Sequence, residues 1–387
     1  MVRRTPFLLY LVAVIAVVSS IGSFGWVRTW SSLTVPSMYP PFGDIRIIQA
    51  AIISLEHGYD PRVSNVGDHW GRAYNIPTPW IEIGKVLNFT NESRFIIAST
   101  AVTLFFVGVC AFLLFRFPSF GLLASVVSTS TLVGIERGNV DLILFSLLLP
   151  AALWLPKSWS PIPILVGTLL KLYPVFALAA LYIQRQYRML AVSAVLAAGV
   201  FVYLWNELSS IRSTTPVGCY FAYGISPIVK CFLFLGLPAW TLVITIIAIV
   251  AMALALAYFF NKSDSVRPQQ GPVFDLMLVG SSIYVGTFAL TANFDYRLIF
   301  LIFCIPFLNT RPFPFSGACI VAIVVAMNET LFMHWFGLDG HVVVELAKIS
   351  VFVVLGSYLS VLALKSRLDA IGSSKTQILR PHFAQGH

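Results

Sequence analysis

Charge is what this 387-residue sequence has least of, with only 11% of residues being Asp, Glu, Lys or Arg. A soluble domain carries roughly 25% charged residues, so the chain lacks the polar surface needed to meet water on all sides. Cysteines number only 5 and fall in no metal-ligand spacing, which sets aside a zinc-built or disulfide-dense small fold. Low-complexity tracts, obvious internal repeats and zinc-finger or RNA-recognition signatures are all missing. The formal net charge of +9 therefore does not point to nucleic acid, because the basic residues are scattered at the ends of apolar segments rather than gathered on a stripe.

What is abundant is apolar. Hydrophobic residues make up 58% of the chain and mean hydropathy is +0.86, the signature of an all-α, polytopic transmembrane helical protein. Hydropathy predicts spans near 6–27, 94–115, 119–135, 140–156, 189–205, 238–260, 273–291, 297–310, 313–332 and 343–364. The run from Pro6 to Trp26 follows Arg3 and Arg4 like a signal peptide, but it is long enough to span a bilayer and no small-x-small cleavage site follows it, so an uncleaved first helix is expected. Residues 160–184 resist a single-helix reading. Such a helix would hold Lys171 at the bilayer centre, costing about 3 kcal/mol on insertion scales, and Pro174 would interrupt its hydrogen bonds. A re-entrant pair of short helices meeting near Lys171 removes both conflicts, provided protein or a water-filled cavity covers the broken backbone.

About twelve membrane segments then put both ends of the chain in the cytoplasm. Each short cytoplasmic link carries a cation (Arg116, Lys157, Arg185 with Arg188, Lys262 with Arg267, Arg311), and a tail at 365–387 adds Lys365, Arg367, Lys375 and Arg380. The reading is of one membrane-embedded domain over 1–387, in the cell membrane, with two long polar loops at 28–93 and 206–237 on the outer face. Cys219 and Cys231 share the second loop and can pair if it is non-cytoplasmic, whereas Cys110, Cys304 and Cys319 sit in apolar runs as buried small hydrophobes.

This topology brings four polar motifs to the outer face: Asp44, Glu136-Arg137-Gly138-Asn139, Lys171-Leu172-Tyr173-Pro174 and Asn293-Phe294-Asp295-Tyr296-Arg297. Asp44 precedes an amphipathic stretch, Ile45 to His57, and has two readings: a helix cap, or a general base at the lipid boundary. Lys171, Arg137 and Arg297 are candidate phosphate-binding cations. Each also has a plainer reading, in which Arg137 pairs with Glu136 or Asp141, Lys171 snorkels, and Arg297 pairs with Asp295. Glu136, Asn139, Tyr173, Asp295 and Tyr296 are the candidate substrate-binding neighbours. His57, His69, His334 and His341 also fall on this face, without metal-site spacing.

The order Gly43-Asp44, Gly58-Tyr59-Asp60-Pro61, Asn75-Ile76-Pro77 with Trp80, Glu136-Arg137-Gly138-Asn139-Val140-Asp141-Leu142 and Lys171-Leu172-Tyr173-Pro174 resembles the bacterial family 87 glycosyltransferases of the C-type superfamily. The resemblance covers roughly residues 1–184, with a weaker echo at Asp295-Tyr296-Arg297. It departs at Ile76-Pro77-Thr78-Pro79, where a Tyr-Pro-Pro type sequence is expected. It implies a C-type architecture and a polyprenyl-phosphate sugar donor, typically carrying mannose. It also implies a lipid or glycan acceptor, transfer on the outer face, and Asp44 as the catalytic aspartate. No dense carboxylate cluster lies beside Asp44, so chemistry without a cofactor or divalent metal is expected. The competing class is a transporter or lipid-linked-sugar flippase, which also uses broken helices and buried cations.

Overall fold

The computed structural model describes residues 4–155, 158–234, 236–263, 266–290, 292–310 and 313–378, with side chains described as far as 370. Of the cations expected on the cytoplasmic links and tail, Lys157, Arg311, Arg380 and the side chain of Lys375 lie outside these bounds. The chain is almost entirely helical. Five helices are long and apolar enough to cross a membrane: Thr5–Phe24, Glu92–Arg116, Ala239–Lys262, Pro272–Leu290 and Glu329–Ala370. A sixth is obtained if Tyr187–Tyr203 and Trp205–Thr214, bent by 70° at their junction, form one span.

Ala239–Lys262 shows the sequence logic most simply. Pro238 precedes it, no Gly or Pro interrupts it, and Ser263 ends it. Its 24 residues extend about 36 Å at 1.5 Å per residue, enough for a hydrocarbon core of about 30 Å. Phe260 is its one buried residue, so nearly its whole apolar circumference faces outward. A bare surface of that size is stable only against an apolar environment or a partner.

Several expected spans are broken. The stretch 119–135 is two helices, Phe120–Val126 and Thr129–Arg137. Ser128 separates them by turning extended and accepting the Thr131 amide, which starts the second helix. The stretch 297–310 is a 3₁₀ run, Asp295–Cys304, continued by the α-helix Ile305–Thr310. Such runs seldom exceed four residues; here Leu298 to Phe303 are completely buried, so surrounding packing holds the tighter winding. Phe303 stacks on Phe145 at 4.2 Å between ring centroids. The expected spans 313–332 and 343–364 are the helix Ser316–Ala326 and a 50-residue helix, Glu329–Ile378, whose backbone breaks at Gly337 (φ 58, ψ −135).

Residues 160–184 break where the sequence requires it. The helix Pro161–Lys171 ends at Leu172 (φ 37), and a 3₁₀ turn, Tyr173–Leu178, leads into Ala179–Ile183. A Cβ on Gly167 would lie 3.2 Å from the Pro174 ring. Seven residues along a straight helix would separate these positions by about 10 Å, so the chain folds back on itself.

Two ends of the molecule can be told apart. At one, Arg185 pairs with Asp369 (2.6 Å), Ser366 donates to the Ile183 carbonyl (2.9 Å), Lys365 donates to the Ser263 carbonyl (3.0 Å), and Gln184 contacts Asp275 near the start of Pro272–Leu290. The other end of that 19-residue helix, about 25 Å away, leads into Asn293 and the Arg297 motif. There a two-residue antiparallel pairing sets Ala222 against Phe294 and Tyr223 against Asn293, tying the second long loop to the motif.

Candidate active site

The first long loop folds down onto the motif end of the molecule. The helix Thr129–Arg137 closes on Gly138 in the left-handed conformation (φ 58), and the Asn139 amide returns to the Gly134 carbonyl at 2.9 Å. A Cβ on Gly138 would lie 3.0 Å from the Phe42 ring, so glycine is needed both for the turn and for the approach of the loop. The Asp44 amide then donates to the Arg137 carbonyl at 2.9 Å. Glu136 is fully buried and holds the same loop by accepting from Met38 N (2.7 Å), Ser37 Oγ (3.0 Å) and Trp26 Nε1 (3.1 Å). Burial pushes its carboxyl above the ordinary range, while those donors pull it back.

Asp44 is not a helix cap. Ile45 holds the N-cap position of Arg46–Glu56 with no side-chain capping bond. The Asp44 carboxylate instead accepts from Asn139 Nδ2 (2.6 Å) and Arg72 Nη1 (3.2 Å), with Arg137 Nη1 at 3.9 Å. The Asn139 side-chain oxygen, besides accepting the Asp141 amide at 2.9 Å, receives Lys171 Nζ at 3.5 Å. Asn139 therefore links the first loop to the fold-back. Asp141 anchors the other side. It is fully buried in the first turn of Asp141–Leu153, where the helix dipole favours a carboxylate, and it accepts from Lys171 Nζ (2.6 Å), Tyr173 Oη (2.9 Å) and Arg297 Nε (3.5 Å).

Asp44, Arg72, Arg137, Asn139, Lys171 and Tyr296 line one cavity of about 390 Å³, with Thr214 and Pro216 of the second loop on its wall. Three cations and one carboxylate among these residues leave it positive. Arg137 is the least committed of the cations: its nearest carboxylates, on Asp44 and Glu136, are both 3.9 Å away, and its Nε is buried without a hydrogen bond among the described residues. Lys171 sits 5.6 Å from the Tyr296 ring centroid.

The other motif residues sit behind this cavity. Arg297 stacks on Tyr173 at 4.4 Å, is held by Asp141 and Asn293, and does not pair with Asp295 as one reading had it. Asp295 turns away to Lys348 (2.8 Å). Glu136, Tyr173 and Arg297 do not line this cavity. They position the lining rather than form it.

Arg72 is the residue that sequence reasoning missed. It forms a two-pronged pair with Asp68 (3.2 and 2.9 Å), reaches the Gly43 carbonyl at 2.5 Å and touches Asp44, so it fixes the carboxylate that the motif supplies. No motif surrounds Arg72, but the Asp68-x-x-x-Arg72 spacing in a polar loop was the available signal. Trp80, part of the resemblance motif, is buried, and its indole donates to the Leu170 carbonyl at 2.8 Å. The two long loops are clamped together by Arg62 and Glu207 at 2.6 Å, and a disulfide joins Cys219 to Cys231.

A second charged cluster was not anticipated. Lys348, fully buried, donates to Glu329 (2.5 Å), Glu345 (2.8 Å), Asp295 (3.1 Å) and the Ala222 carbonyl (3.1 Å). Glu329, His341 and Glu345 bring ligand-type atoms within 4.8 Å of one another, but the lysine ammonium already lies against both carboxylates. Compared with known protein families, curated proteins and solved structures, the chain finds no match.

Proposed function

We propose that the chain is an integral-membrane glycosyltransferase of C-type architecture, acting at the outer face of the cell membrane. It moves a hexose, mannose by resemblance, from a polyprenyl-phosphate donor to a glycolipid or glycan acceptor. The observation that carries this reading is the lining of one cavity by a carboxylate held by hydrogen bonds, Asp44, together with Arg72, Arg137 and Lys171. That set matches the needs of the reaction. Asp44 takes the proton from an acceptor hydroxyl as its oxygen attacks the anomeric carbon. The bond from that carbon to the phosphate oxygen breaks with inversion, and polyprenyl phosphate leaves with the electron pair. The developing negative charge meets Arg137 and Lys171, an arrangement that stabilises the transition state more than the ground state.

Two further observations support the outer face. The Cys219–Cys231 disulfide lies in the loop that adds Thr214 and Pro216 to the cavity wall, and disulfides persist in oxidising compartments. The cation-bearing ends of Arg185 and Lys365 gather at the other end of the molecule, as the cytoplasmic side requires. The fold-back at Leu172 and the break at Gly337 are equally at home in a transporter or flippase, so the assay must score sugar transfer separately from lipid translocation. With purified protein and polyprenyl-phosphate mannose, Asp44→Asn is expected to lower transfer by about 10²- to 10⁴-fold, the usual span of a general base, with an unchanged melting temperature. Full transfer by that variant would remove Asp44 from the mechanism. Translocation without transfer in the wild type would replace the enzyme reading altogether.

A further inference from the structure

Arg137 and Tyr296 are a shared wall. On their far side lies a second cavity of about 270 Å³, with fewer cations and more hydroxyls in its lining than the first. Two carboxylates, Asp295 and Glu329, and one cation, Arg137, line it, and both carboxylates face Lys348 behind the wall. The remaining polar lining is hydroxyl. Ser130 is 2% exposed, and its Oγ has no hydrogen-bond partner among the described residues; the buried Thr330 Oγ1 is likewise unpartnered. Leaving a buried hydroxyl unpaired costs about 1–3 kcal/mol, so such groups in a cavity wall mark a place where a ligand supplies the missing partners. Aromatic side chains complete the lining: Tyr220 and Phe221 from the disulfide-bonded loop, and the stacked pair Phe294 and Tyr296.

Unsatisfied hydroxyls, carboxylate acceptors and aromatic faces together fit a neutral polyhydroxylated ring. We propose that this cavity is a hexose-binding subsite, separate from the cationic cavity and reached past Arg137. Asp295 accepts from a ring hydroxyl, Ser130 and Thr330 exchange hydrogen bonds with others, and the aromatic rings cover the apolar C–H face. The inference deepens the glycosyltransferase reading by naming what lies beyond the phosphate. The hexose can belong to the donor or to the acceptor, and the experiment separates the two.

The test uses the full chain in detergent, with five probes: methyl α-mannoside, methyl glucoside and methyl galactoside followed by saturation-transfer NMR, and the binding of undecaprenyl phosphate with and without mannose. Val133 lines only this second cavity, and Val133→Phe fills it. The expected result is contact with at least one hexoside in the wild type, lost in Val133→Phe, while undecaprenyl phosphate binds both proteins within twofold. Ser130→Ala, which keeps the space, is expected to weaken the hexoside three- to tenfold. A donor sugar is indicated if Val133→Phe reduces the affinity for the mannosylated lipid to that for the bare lipid phosphate. An acceptor sugar is indicated if that affinity is unchanged. Absence of hexoside contact in the wild type, or contact that survives in both variants, overturns the subsite. Failure of undecaprenyl phosphate to bind the wild type overturns the glycosyltransferase reading instead, and leaves the hexoside result to stand by itself.

Discussion

Lys171 is a part-buried and Lys348 a fully buried ammonium group, and their partners differ in number and in kind. An ammonium has three N–H donors. Lys348 is wholly buried and surrounded by three carboxylates and a backbone carbonyl at 2.5–3.1 Å, so its donors are fully engaged. Lys171 has one close carboxylate, Asp141 at 2.6 Å, a long contact to Asn139 at 3.5 Å, and an open side toward the cavity. The first lysine joins parts of the fold. The second is held in place with donor capacity to spare, which is what a site for a transient anion requires. Burial of a charge by itself therefore says little about role; the number of unspent donors separates scaffold from site.

The sharpest way to break the comparison is to remove both charges in turn. Lys348→Met strands Asp295, Glu329 and Glu345 around an apolar side chain, and removing one partner of a buried ion cluster costs about 3–5 kcal/mol. A large fall in melting temperature, or no folded protein in detergent, is expected. Lys171→Met is expected to fall much less, because Arg297 still faces Asp141 at 3.5 Å. Equal losses would mean that the two lysines do the same job. Ligand binding sharpens the other half: Lys171→Ala should weaken undecaprenyl phosphate about tenfold or more, the scale of a hydrogen bond to a charged group, and an unchanged affinity would count against the site. The smallest effect belongs to Arg297→Lys. This variant keeps a positive charge near Asp141 and loses the stacking on Tyr173, so it should change lipid-phosphate affinity less than threefold. A loss as large as that of Lys171→Ala would move Arg297 into the site.

How much of this was legible follows the same division. Lys171 with Pro174 in an apolar stretch was enough to require a broken, folded-back segment, because the energetic conflict is local in sequence. Lys348 carried the same signal inside the expected span 343–364, but two of its three acids, Asp295 and Glu329, come from other segments and no nearby proline forced the question. Asp44 was legible as a candidate, but its cap reading failed because local propensity lost to two long-range bonds, to Arg72 and to Asn139. Asp141 reads in the sequence as a partner for Arg137, while its actual donors Lys171, Tyr173 and Arg297 lie 30, 32 and 156 residues away. The breaks at Ser128 and in the Asp295–Cys304 run were invisible to hydropathy, which records how apolar a segment is and not how it is wound.

The hydrogen bond from the Trp80 indole to the Leu170 carbonyl also has a bearing on how the chain is built. Leu170 is in the last turn of its helix, where carbonyls have no partner within the helix, and the residue that completes it was synthesised 90 positions earlier. The lysine tip is therefore finished by docking against the first loop rather than by its own sequence. A chain in which the first loop is not docked would carry Lys171 on an unfinished helix end.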